Sequence, residues 1–423
     1  MPVLRRPFRA RLRVPASKSL AARAAVAAAV SEGESILRGD LAAEDIQVLL
    51  AALAQLGAGV RQDGEGARIT GMPPAGPAGA VSLDARESGT AGRFLVALGA
   101  TCPGPVTVDG APSLRARPMG PLLEALNALG SHAEAAGPPG RLPVRTGGGI
   151  PPGRCTLDGS TSSQFLSALL LAGSRAAGPI EIALGSDPVS LPYAEMTLDV
   201  LRAFGLAGCR DANGVWSTAP GRGHAREFAV EPDAASAGYP FVAAAITGGE
   251  ATVMGLDPGS RQPEMRLTAL LERMGCTVSS DGEGGTRVAG PPGGVLQGFE
   301  ADLRDAPDSA PVLAVAALFA AGPSVLRGIP HLRHKESDRL ETLAEELTRL
   351  GARVEAGADS LTIIPGPLRA AEVSSRGDHR LAMSLGVAGL RIPGVRVSGP
   401  GCAAKSFPGF WGLVAGDPRG DLR

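Results

Sequence analysis

Six glycines, Gly39, Gly110, Gly185, Gly255, Gly328 and Gly399, close six similar stretches of this 423-residue chain, at intervals of 71, 75, 70, 73 and 71 residues. Upstream of each lies a run of small residues and then a short β-branched strand. The runs read SKSLAARAAVAAAV, SGTAGRFLVALGA, STSSQFLSALLLA, ASAGYPFVAAAI, PDSAPVLAVAALF and GDHRLAMSLGVAG. A repeat of this length implies one supersecondary unit used six times, with neighbours covering each other's apolar faces. In five units a second helix follows and ends at Gly57, Gly130, Gly205, Gly275 or Gly351. Ile46, Leu49, Leu50, Leu53 and Leu56 keep amphipathic 3, 4, 7 spacing, and so do Leu340, Leu343, Leu347 and Leu350. The glycine suits a left-handed C-cap. Each unit therefore reads strand–helix–strand–helix–strand–strand. The chain is α/β, with the first helix of each unit buried and the second outside.

The charges nearly cancel, with 41 basic and 42 acidic residues. That balance argues against a nucleic-acid-binding surface, and no apolar run approaches the roughly 20 residues of a membrane span. Five cysteines without a CxxC pair suggest neither a disulfide framework nor a zinc site, and they suit a reducing compartment. The arginines before residue 14, followed by the alanine-rich stretch from Ala21 to Val30, invite comparison with a signal or transit peptide. Lys18 and Arg23 interrupt that stretch, so it is read as a buried helix. Of the basic residues only Lys18, Lys335 and Lys405 are lysine. Where arginine serves for nearly every cation, a remaining lysine marks a place for a compact, titratable charge.

The starts of the buried helices collect cations and hydroxyls. Helix N-termini carry free N–H groups and suit anions. Ser17-Lys18-Ser19 with Arg23 opens the first helix. Ser88-Gly89-Thr90-Ala91-Gly92-Arg93 opens the second, and Arg117 precedes Pro118, read as a first-turn proline. Ser162-Ser163-Gln164 opens the third, with Ser190 and Tyr193 further on. Asp308 heads an otherwise apolar helix, where it could simply be an acidic N-cap. The densest ionic run is His331 to Arg339, HLRHKESDR. Gly377-Asp378-His379-Arg380 opens the sixth helix, and Lys405 follows the last strand. Taken singly, each is a helix cap or a solvated cation; together they recur at equivalent places in the repeat.

The opening VPASKSLAAR, the KESDR run and the six units resemble the enolpyruvyl transferases, and among them the branch that acts on shikimate 3-phosphate. The resemblance spans essentially the whole chain. It implies two similar domains, each of three units about a pseudo-threefold axis, with helices inside and sheets outside, an inside-out α/β barrel. The crossings would fall near Pro15–Ala16 and Glu231–Pro232, giving a domain of residues 1–15 plus 232–423 and another of 16–231. The active site would lie in the cleft between them and be complete only on closure. The implied reaction joins phosphoenolpyruvate to the 5-hydroxyl of shikimate 3-phosphate with release of phosphate, by addition and elimination through a tetrahedral intermediate, without a metal or organic cofactor. The resemblance also suggests a cytoplasmic monomer whose partners are these two small molecules.

Residue by residue, it assigns phosphoenolpyruvate to Lys18, Gly89, Arg117, Gln164, Arg339, Arg380 and Lys405. Shikimate 3-phosphate falls to Lys18, Ser19, Arg23, Ser162, Ser163, Gln164, Ser190, Tyr193, Asp308, His331 and Lys335. Asp308 would be the general base, Glu336 would exchange the methylene proton, and Lys18 and Lys405 would act at the reacting centre. Thr90 and Arg93 would support the second helix start. The sequence departs from the common pattern at Ser88, Gly92, Leu191 and His331. One rival is the sister branch that uses a UDP-amino sugar, which has Lys-Asn at Lys18-Ser19 and commonly a cysteine before the Arg117 equivalent; here residues 111–118 contain none. The other is a non-catalytic repeat scaffold.

Overall fold

Small side chains let helices approach closely, and the computed structural model puts such helices at the centre of each half of the chain. It describes residues 7–74, 76–77 and 79–415. The six small-residue helices are α1 (Lys18–Ala29), α2 (Gly89–Ala100), α3 (Gln164–Gly173), α4 (Ala234–Thr247), α5 (Ala310–Ala317) and α6 (His379–Ala388). Every residue of α1 from Ala21 to Ala29 is buried, Arg23 included. Helices α1, α2 and α3 all touch one another, and so do α4, α5 and α6. The chain accordingly divides into an N-terminal unit, Ala16–Val230, and a C-terminal unit made of residues up to Pro15 and from Glu231 onward. Each unit has its own apolar core.

Sheets surround each helix trio. Among the described residues the N-terminal unit has three four-stranded sheets, built on Glu34–Arg38, Val106–Asp109 and Ile180–Leu184, and a small two-stranded sheet of Ser31–Glu32 with Gly223–His224; the C-terminal unit has two four-stranded sheets and one two-stranded sheet. Every four-stranded sheet repeats one plan: a parallel pair, then two antiparallel strands. The last repeat is cut short. Glu372–Ser374 pairs in parallel with Arg396–Ser398, and a 3-10 turn and a short helix replace the outer helix and hairpin.

Two strands lie in sheets whose other strands are distant in sequence. Arg9–Leu12, just before α1, pairs with Glu250–Val253 of the C-terminal unit. Glu227–Ala229, just before α4, pairs with Glu34–Arg38 of the N-terminal unit. Each unit thereby fills the first-strand place of its first sheet with a strand from the far end of its sequence.

The outer helices stop as their glycines predict: Gly57 and Gly351 follow their helices at φ of 100° and 111°. The repeat-closing glycines serve two purposes. Gly255, Gly328 and Gly399 have positive φ, whereas at Gly110 a Cβ would lie 2.6 Å from the Arg86 carbonyl oxygen. The reading of Pro118 as a first-turn proline does not hold. The helix there begins at Gly120, with Pro121 in its first turn, after a separate turn of helix at Pro112–Arg115.

Leu169, fully buried in α3, tests the central helix packing. Leu169→Ala should lower the unfolding free energy by about 2–5 kcal/mol, measured by urea titration. Val295→Ala, at a side chain 56% exposed, should change it by no more than about 0.5 kcal/mol.

Candidate functional site

In the N-terminal unit the polar side chains gather at the starts of α1, α2 and α3. Ser17 caps α1, its Oγ accepting the Leu20 N–H at 3.4 Å. Lys18, half-buried, donates to Asp45 Oδ2 at 2.8 Å. Arg23, 1% exposed, spreads its guanidinium over neutral acceptors: Thr197 Oγ1 at 2.8 Å, the Ser19 carbonyl at 2.8 Å and Ser167 Oγ at 3.0 Å. It lies over the rings of Phe94 and Tyr193. Burial lowers its pKa to about 10, partly opposed by Tyr193.

At α2, Ser88 caps by accepting the Ala91 N–H. The next residue is held to glycine by its neighbours. A Cβ on Gly89 would lie 2.5 Å from Arg93 Nη1 and 2.6 Å from Arg117 Nη1. Two guanidinium groups thus meet at the positive end of a helix, an arrangement that favours an anion. Arg93 also donates to Gln164 Oε1 at 2.7 Å, and Gln164 Nε2 donates to Thr90 Oγ1 at 3.0 Å, tying the start of α2 to that of α3. Ser163 precedes α3 without a side-chain cap bond, and Ser162 Oγ accepts the Gln164 N–H. Ser190 has φ of 55°, an uncommon conformation for a non-glycine residue, and its carbonyl accepts the Tyr193 N–H.

The C-terminal unit gathers a second set, rich in ion pairs. Asp308 lies in a 3-10 turn ahead of α5 and does not act as a helix cap. Its carboxylate accepts from Arg339 Nη1 at 3.0 Å and from Arg380 Nη2 at 2.7 Å. Burial alone would raise its pKa, but Arg380, Lys335 and Arg339 together outweigh burial and hold it far below the usual carboxylate range. Arg339, 1% exposed, also donates to Glu336 Oε2 at 2.9 Å and to Asp378 Oδ2 at 2.7 Å. Lys405 donates to the other oxygen of Glu336 at 3.1 Å. His331, 4% exposed, is held neutral: burial first, then Lys335, lowers its pKa to about 3.

Comparison with known proteins places this arrangement. Residues 4–413 match the family model EPSP synthase (3-phosphoshikimate 1-carboxyvinyltransferase). The 3-phosphoshikimate 1-carboxyvinyltransferase of Methanosphaerula palustris is 39% identical over 407 residues, covering 95% of each chain. That of Syntrophobacter fumaroxidans is 40% identical over 412 residues, covering 96% of each. The chain belongs to the EPSP synthase family. Among solved structures, EPSP synthase from Acinetobacter baumannii superimposes with a TM-score of 0.81 at 28% identity, covering 98% of this chain and 96% of that one. The enolpyruvyl transferase NikO from Streptomyces tendae shares the fold, with a TM-score of 0.76 at 18% identity over 97% of this chain and 95% of that one. The α/β inside-out architecture expected from the resemblance is the fold of this family.

Several residues that shape the site carried no individual signal in the sequence. Asp45 holds Lys18 from 27 residues away, on the outer helix Glu44–Gln55. Ser167 and Thr197 hold Arg23 from two other helices. Asp378 was visible as part of a motif, but its bond to Arg339 was not.

His331 gives the site a measurable acid sensitivity. Its folded pKa is depressed, so below the unfolded value near 6.5 only the unfolded chain takes up that proton, and stability falls with pH down to about 3. Between pH 6 and 5, His331→Asn should lose less unfolding free energy than the parent, by about 1 kcal/mol, read from denaturant titrations at each pH. Parallel losses would place the acid sensitivity elsewhere.

Proposed function

We propose that the two residue sets act together in transferring the enolpyruvyl group of phosphoenolpyruvate to the 5-hydroxyl of shikimate 3-phosphate. In this reading the phosphate of phosphoenolpyruvate sits at the start of α2, against Gly89 and Arg117, with Lys18, Gln164 and Lys405 around the reacting carbons. Its carboxylate goes to Arg339 and Arg380. Arg23 and Ser19 take the shikimate carboxylate, and Ser162, Ser163 and Gln164 take the 3-phosphate side, with Ser190, Tyr193, His331 and Lys335 completing the contacts. Thr90 and Arg93 support the α2 start. The enzyme works as a cytoplasmic monomer; its five cysteines form no disulfide, which suits such a compartment. Among the described residues no helix is long and apolar enough to cross a membrane.

The observation that carries the reading is Asp308 lying between Arg339 and Arg380. A carboxylate held by two guanidinium groups is ionised but weakly basic. When the carboxylate of phosphoenolpyruvate occupies those two arginines, Asp308 loses two stabilising charges and becomes a better base beside the hydroxyl. The C5 oxygen of shikimate 3-phosphate then bonds to C2 of phosphoenolpyruvate. The hydroxyl proton passes to Asp308, and C3 takes a proton to become a methyl group. Loss of a C3 proton, with Glu336 as the exchanging group, and departure of phosphate from C2 yield the enolpyruvyl ether. Lys405, bonded to Glu336, tunes that exchange.

The test is phosphate release by the purified protein. Release should require both phosphoenolpyruvate and shikimate 3-phosphate; release with UDP-N-acetylglucosamine in place of the shikimate would favour the sister branch, and failure to bind either substrate would favour a scaffold. Asp308→Asn should lower kcat by about 10²–10⁴-fold. Lys18→Arg should lose most activity, because the planar fork replaces a compact charge that can give up its proton. Gly89→Ala should raise KM for phosphoenolpyruvate by about tenfold or more while KM for shikimate 3-phosphate stays within about twofold, since the new methyl group displaces Arg93 and Arg117.

A further inference from the structure

Arg339 is shared by three carboxylates, and the three are not equivalent. Asp308 and Glu336, both partly exposed, face the end of the guanidinium through Nη1 and Nη2. Asp378 is fully buried and grips the other edge, with Oδ2 at 2.7 Å from Nε and Oδ1 at 3.3 Å from Nη2. The same carboxylate caps α6, its Oδ1 accepting the Arg380 N–H at 2.9 Å. Ser337 Oγ donates to Oδ2 at 3.4 Å. One side chain therefore fixes the orientation of Arg339 and the backbone that carries Arg380. The helix cap alone does not call for a charge, because asparagine caps as well as aspartate.

We propose that Asp378 is a positioning residue, the permanent counter-ion that holds Arg339 and the start of α6 in place while Asp308 and Glu336 change partners. The inference rests on the reading above, in which Arg339 and Arg380 receive the carboxylate of phosphoenolpyruvate. That ligand approaches the open end of the guanidinium and takes the place of Asp308. A guanidinium buried to this depth is stable only with a counter-charge. Asp378 supplies one on the edge that the ligand does not use. Its side-on grip also keeps the open end aimed at the incoming carboxylate, which a two-point contact requires. Burial would lower the pKa of Arg339, but Asp378, Glu336 and Asp308 together raise it, Asp378 contributing most among the charges.

Asp378→Asn keeps the cap and removes the charge. It should raise KM for phosphoenolpyruvate by about tenfold or more, leave KM for shikimate 3-phosphate within about twofold, and lower kcat less than Asp308→Asn does. If neither KM moves, or if both rise together, Asp378 has a structural role only and the proposal fails. If Asp378→Asn does not fold, Asp378→Asn combined with Arg339→Met removes both members of the buried pair. Recovery of folding then shows that Asp378 balances Arg339, and persistent misfolding overturns the proposal. Arg339→Gln separates the two levels of inference. If it raises KM for phosphoenolpyruvate while Asp378→Asn does not, only the anchor is wrong. If it leaves that KM unchanged, the assignment of the carboxylate site is wrong and the anchor falls with it.

Discussion

The geometry of the C-terminal unit turns on one buried guanidinium. Arg339 has lost its water, and three carboxylates compensate it. Each of those carboxylates is then committed to further partners: Asp308 to Arg380, Glu336 to Lys405, and Asp378 to the first turn of α6. An interlocked cluster of this kind ties the placement of each side chain to that of the others. It also holds Asp308 weakly basic, because Arg380, Lys335 and Arg339 outweigh its burial. In the proposed reading, substrate binding and activation of the base are the same event.

The N-terminal unit solves the opposite problem. Its buried Arg23 is held by hydroxyls and a carbonyl, and burial moves its pKa down. Arg93 and Arg117 converge on a helix start whose dipole has the same sign as they do. Such a concentration of positive potential is unfavourable for the unliganded protein and favourable for a phosphorylated carboxylate. One set of residues thus presents concentrated positive charge, whereas in the proposed reading the other exchanges an internal negative charge for an external one.

The repeat was legible because it is written in features with local causes. Glycine closes helices and strands, small residues mark buried helices, and leucine spacing marks the outer ones. Strand exchange was legible only through resemblance, since no local property of Arg9–Leu12 says which sheet it joins. The helix-start cations were likewise visible as a set because they fall at equivalent repeat positions. What the sequence could not display were partners brought in by the fold: Asp45 on Lys18, Ser167 and Thr197 on Arg23, and Asp378 on Arg339. Asp308 illustrates the limit. Its place ahead of an apolar helix reads as a cap, and only the fold shows that two arginines from elsewhere in the chain claim its oxygens.

Isotope exchange tests addition and elimination at this site most directly. In deuterium oxide, with both substrates and the enzyme present, recovered phosphoenolpyruvate should carry deuterium at C3, because the methyl group of the tetrahedral intermediate returns a hydrogen other than the one it gained. Glu336→Gln should slow that exchange. Turnover to the enolpyruvyl ether with no deuterium in the recovered phosphoenolpyruvate or in the product would contradict the account.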